Sequence, residues 1–164
     1  MVPEAETSLR DALGQKMDDL TKALNGLDEE KAGQRAADAE WCCKEVLSHL
    51  MGDEGEDVLA PFRQIIEEDT PLIGIVTGLP YYIPDRQAMS LAEMRGAVSS
   101  RYRHLAEFLS GLAEADLARK ARVPLFKNSP MGEYPTLAQF AGALNSHLAD
   151  HISQISSARQ QVGA

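Results

Sequence analysis

Three of the four histidines in this chain have types and spacing suited to holding one ion. His147 and His151 stand four residues apart in Leu144-Asn145-Ser146-His147-Leu148-Ala149-Asp150-His151-Ile152. That run has helical hydrophobic spacing, so both rings leave one face about one turn apart, roughly 6 Å along the axis. His49 lies far upstream, in Trp41-Cys42-Cys43-Lys44-Glu45-Val46-Leu47-Ser48-His49-Leu50, on a second amphipathic stretch. A neutral imidazole in an apolar stripe needs partners for its ring nitrogens, and a metal supplies one for each. Three neutral nitrogen donors leave coordination positions open, as catalytic rather than structural metals require. A plainer reading stands beside this one. Such a pair on a helix often holds no metal, one ring facing water and the other filling core.

The neighbouring residues narrow the chemistry. Leu148 occupies the position where a zinc protease of the HExxH type carries its general-base Glu, so that reading is excluded. Asp53, one turn after His49, and Asp150, between the other two, are candidate acceptors for ring N–H groups, or simply water-facing acids. Cys42 is about two turns, roughly 10 Å, before His49, too far to share an ion. His104 falls off the inner stripe of its helix and is expected at the surface. Tyr81, Tyr82 and Tyr102 are candidate pocket walls or plain core, and Gly52 is expected to leave space near His49. No serine triad, glycine-rich phosphate loop or pair of catalytic acids stands out. An open metal site reaches both hydrolysis and the binding of a thiolate.

Composition sets the frame for these residues. At 164 residues and 44% hydrophobic, the chain is long enough for one core, and residues 1–164 read as one domain. A net charge of −9 without any Lys/Arg run argues against nucleic acid and against an anionic membrane surface. The start, Met1-Val2-Pro3-Glu4-Ala5-Glu6, is acidic and has no apolar segment of the signal-peptide type. The most apolar stretch, Pro71 to Ile83, is too short to span a bilayer. The two cysteines, Cys42 and Cys43, are neighbours and make no disulfide framework. A cytoplasmic protein is expected.

Four amphipathic helices must position the histidines. Leu9, Leu13, Met17, Leu20, Leu24 and Leu27 mark helix one, with Asn25-Gly26 as a left-handed stop. Helix two begins near Trp41 and continues through Val46, Leu47, Leu50, Val58, Leu59, Phe62, Ile65 and Ile66, with a kink expected from Gly52, Gly55 and Pro61. Residues 69–89 form a long crossover. Helix three opens on the capping box Ser90-Leu91-Ala92-Glu93 and buries Leu91, Met94, Val98, Leu105, Leu109 and Leu112. Residues 113–135 form a second irregular link with one extended piece, 121–126. Helix four runs from about Thr136 to Arg159. The expectation is an all-α four-helix bundle with long crossover loops after helices two and three. The levels of the histidines along the bundle agree better when helices two and four run antiparallel.

The ordered set Trp41-x-x-Lys44-Glu45-Val46-Leu47-x-His49-Leu50, Thr136-Leu137-x-x-Phe140 and His147-x-x-x-His151-x-x-Gln154-Ile155 resembles the DinB/YfiT-like family of metalloenzymes along essentially the whole chain. The resemblance implies an up-down-down-up bundle. It also implies a divalent metal ion, nickel or zinc ahead of iron or manganese, held by His49, His147 and His151. Homodimers occur in the family, and some branches are S-transferases or isomerases using mycothiol or bacillithiol. Similar sequences have Ser or Thr after the Trp. Here it is Cys42, a poor capping residue, which leaves the start of helix two open. The function expected is therefore a metal-dependent enzyme, either a hydrolase or a low-molecular-weight-thiol S-transferase acting on a small molecule. The alternatives are a non-catalytic metal-binding module of a stress response and a bundle whose histidines bind nothing.

Overall fold

The computed structural model describes residues 4–164, with side chains from residue 9 onward; the reading of Met1 to Glu6 lies outside those side chains. Four helices form the bundle: α1 (Glu4–Leu24), α3 (Cys43–Met51), α6 (Leu91–Ser110) and α8 (Leu137–Gln161). Short helical pieces lie between them: α2 (Glu29–Ala32), α4 (Ala60–Glu67), α5 (Pro84–Gln87) and α7 (Glu114–Leu117). No strand occurs among the described residues, only two isolated bridges, Leu72 with Arg122 and Lys120 with Thr136.

Helices α1 and α3 each pack against both α6 and α8, so the first two bundle helices stand diagonally across the core. Tie points fix the directions. Cys43, at the start of α3, lies 3.5 Å from the Ile155 carbonyl, while His49, near its end, meets His147, earlier in α8. Helices α3 and α8 are therefore antiparallel. Arg159 donates to the carbonyls of Ala23 and Asn25, which puts the C-terminal ends of α8 and α1 together. The Leu91 N–H donates to Glu29, and Lys44 to the Met89 carbonyl. The start of α6 thus sits beside the start of α3 and just past the end of α1. The order is up-down-down-up.

The predicted stripes form the interior. Leu13, Met17, Leu20 and Leu24 meet Met94, Val98, Leu105 and Leu109, and Leu137, Leu148 and Ile155 close the other side. Each such side chain contributes roughly 1.5–3 kcal/mol by leaving water. The capping boxes Ser90/Glu93 and Thr136/Gln139 start α6 and α8.

Three expectations need correction. Helix two is not one kinked rod: α3 ends at Met51, and a connection through residues 52–59 precedes α4. Gly52 (φ +78°) and Gly55 (φ +77°) adopt left-handed conformations that a right-handed helix cannot contain. Pro61, in the first turn of α4, begins a helix rather than bending one. The extended piece expected over residues 121–126 is shorter: Arg122 makes one bridge, to Leu72, and Val123 is extended, but Pro124–Phe126 form a 3₁₀ turn. Gly52 also opens no space at His49, because the Arg101 guanidinium and the Glu56 carboxylate fill the room where its side chain would be.

Candidate metal centre

Helix α3 is nearly buried all round, and its polar residues each have a partner. Cys42 stands at the N-cap without a side-chain bond; its N–H instead donates to Glu45 at 3.1 Å. Glu45 is only 4% exposed and accepts two bonds from Arg35, at 2.7 and 2.6 Å. Burial works to raise its pKa, but these bonds outweigh burial and hold it below the ordinary carboxylate value. Burial pushes the Cys42 thiol up to about 11, so it is neutral at physiological pH and no ready metal ligand. The start of helix two, open in the sequence, is fixed by Glu45 rather than by the thiol.

His49 occupies the last turn of α3 and faces α8. There His147 and His151 flank Leu148, which is fully buried and fixes the rotation of the helix. One ring nitrogen from each of His49, His147 and His151 lies within 4.8 Å of the others. The Nε2 atoms of His49 and His147 are 3.2 Å apart, and the His151 ring centroid is 4.5 Å from that of His49 and 4.3 Å from that of His147. Two nitrogens on one ion, each about 2.0–2.1 Å from it, stand roughly 3–3.4 Å apart. The donor set therefore fits a divalent transition metal.

The opposite ring edges support that fit. The His49 Nδ1–H donates to the Leu79 carbonyl at 2.7 Å, and the His151 Nδ1–H donates to Gln154 Oε1 at 2.8 Å. Each bond holds the proton on Nδ1 and leaves the Nε2 lone pair free. Burial first, then the neighbouring imidazoles of His151 and His49, lower the His147 pKa to about 4. Burial also lowers that of His151. Burial disfavours the cationic rings, so His147 and His151 are neutral at pH 7. Trp41 closes one side, its ring 5.3 Å from that of His49.

The orienting groups are not the two acids suggested by spacing. Asp53 accepts from the Glu54 N–H in the turn after Gly52, and Asp150 is exposed and bonds to neither ring. Gln154 was recognisable as the residue one turn after His151. Leu79 acts through its backbone, and no side-chain pattern announces that. Tyr102 is core, Tyr82 packs against the core, and His104 is exposed as expected.

A family model described as the DinB superfamily matches residues 12–155. No curated protein matches the chain. Among solved structures it is similar to YfiT from Bacillus subtilis, with a TM-score of 0.76 at 17% sequence identity, covering 99% of this chain and 90% of the other. YfiT is described as a probable metal-dependent hydrolase with an unusual four-helix bundle topology. At that identity the likeness shows the shared fold.

Proposed function

This chain belongs to the DinB superfamily, and we propose that it is a metal-dependent hydrolase of a small-molecule substrate, with a divalent ion on His49, His147 and His151. The observation behind this reading is the convergence of three ring nitrogens within 4.8 Å, two of the rings having their other nitrogen held by an acceptor. The description of YfiT as a probable metal-dependent hydrolase agrees with it. Imidazole donors suit zinc, nickel and iron alike; the family resemblance puts nickel and zinc first, ahead of iron and manganese.

When bound, such an ion supplies Lewis acidity: it acidifies water and polarises an acyl or phosphoryl oxygen. The protein's own groups prepare the site for this. The Leu79 carbonyl and Gln154 fix the tautomers of His49 and His151. Burial beside Leu148 keeps His147 and His151 neutral. With three protein donors, positions remain for water and substrate. The same reading includes a homodimer, for which the exposed Leu72, Val76 and Leu79 offer apolar surface; sedimentation should give twice the chain mass.

Metal analysis of tag-free protein is expected to find near one ion per chain, and His151→Ala to lose it. Ester, amide and phosphoester substrates and thiol-transfer acceptors, compared between loaded and chelated protein, decide the chemistry. Metal-dependent hydrolysis lost in His151→Ala supports the proposal. Thiol transfer alone replaces it with an S-transferase, and stoichiometric metal without turnover leaves a binding module. Stoichiometric metal retained in His151→Ala would falsify the site.

A further inference from the structure

We propose that Arg86 is a positioning residue of this centre: it pins the last turn of α3 so that His49 meets the pair on α8. The inference rests on the three-histidine reading above. His147 and His151 share one helix, so helical geometry alone sets their spacing. His49 arrives from a nine-residue helix that ends at Met51, two residues beyond it, and is capped by Gly52. In that last turn the His49 carbonyl accepts from the capping Gly52 N–H, while the Ser48 carbonyl accepts from a donor outside α3.

Arg86 is that donor. Its side chain is buried (8% exposed), and Nη1 donates to the Ser48 carbonyl at 2.9 Å and to Ser48 Oγ at 3.1 Å. Among the described residues no carboxylate forms an ion pair with it. A buried cation without a counterion is costly unless another negative potential faces it. The C-terminal end of α3 supplies one, through the Ser48 carbonyl and the helix dipole. Arg86 and the end of α3 therefore hold each other in place.

Arg86 also ends the segment that orients the His49 ring. Leu79, whose carbonyl accepts from His49 Nδ1, lies between Gly78 (φ +78°) and Tyr81 (φ +51°). A tyrosine in that left-handed region is strained and persists only where its surroundings enforce it. The Ile83 N–H donates to the Tyr81 carbonyl, and the Arg86 N–H to that of Ile83. The turn is thus tied through α5 to the buried guanidinium. With Lys44 donating to the Met89 carbonyl at 2.9 Å, the crossover grips α3 at residues 44, 48 and 49. Without Arg86, the turn relaxes and the Leu79 carbonyl moves off the ring.

The test is a double-mutant cycle on zinc and nickel affinity, measured by chelator competition. Arg86→Met is expected to weaken wild-type binding about 10–100-fold, as for other groups that orient ligands. In His49→Ala protein, which keeps the α8 pair, the same change should cause no further loss. Arg86→Lys should recover part of the affinity. In metal-free protein, long-range ¹H–¹⁵N spectra should show His49 as the Nδ1–H tautomer in wild type and as a mixture in Arg86→Met, with His151 unchanged. Equal losses in both backgrounds, or an unchanged His49 tautomer, overturn the proposal. If Arg86→Met does not fold, Arg86→Lys enters the same cycle, with the same outcomes deciding. Wild-type protein that binds no metal removes the centre itself, while the tautomer spectra still judge the clamp.

Discussion

At the scale of residues, the centre depends on which nitrogen of each ring bears the proton. Gln154 holds the His151 proton on Nδ1 through a 2.8 Å bond, so Gln154→Ala should weaken metal binding about 10–100-fold without abolishing it; chelator competition measures this. The pKa of His147 gives a second prediction. Folded and metal-free, it is lowered to about 4 from an ordinary value near 6.5. The unfolded chain takes up that proton first, so folding is opposed as pH falls. The stability at stake is fully present above about pH 6.5 and is lost progressively down to about pH 4. Urea midpoints of chelated wild type should fall between pH 7 and pH 5, and those of His147→Ala should fall less. A flat wild-type profile over that window would show that the rings are not held neutral by their surroundings.

Elements set where those residues stand. Helix α3 is short because Gly52 turns left-handed (φ +78°) directly after it. Gly52→Ala forces an L-residue into that conformation and sets a Cβ 2.6 Å from Arg101 Nη1. A loss of about 1–3 kcal/mol is expected in chemical denaturation. The flexible guanidinium can move aside, so the backbone supplies most of the loss. The glycines, Pro61 and the apolar spacing were all visible in the sequence. Whether they bend one helix or separate two was not, because the same residues serve both and the choice depends on how Val58, Leu59 and Phe62 reach the core. The start of α6 was legible to the residue, because its capping box satisfies helix-end donors with groups no more than three positions away; that of α8 was read only as about Thr136, and its own box appears in the structure.

On the proposed reading, metal binding is coupled to folding at the scale of the whole molecule. Folded protein presents the three nitrogens together and unfolded chain does not, so saturating zinc or nickel should raise the melting temperature; a hundredfold excess over Kd is worth about 2.7 kcal/mol. The shift should be small in His49→Ala and His151→Ala. Leu148, between the α8 ligands and fully buried, also sets the orientation of the face that bears both rings. Leu148→Ala should cost about 2–5 kcal/mol in denaturant unfolding, through lost burial and a cavity.

The sequence by itself determined the amphipathic helices of the bundle, the capping box that opens α6, the net acidic charge and the pairing of His147 with His151. Each of these follows from interactions within a few residues, or from a periodicity that any core would select. Only the tertiary structure decided that His49 meets that pair, 98 positions away. The chain separation leaves no local pattern, and the contact exists because α3 and α8 pack antiparallel. The orienting role of the Leu79 carbonyl, likewise, belongs to a backbone group that every residue has, and only its placement by the crossover distinguishes it.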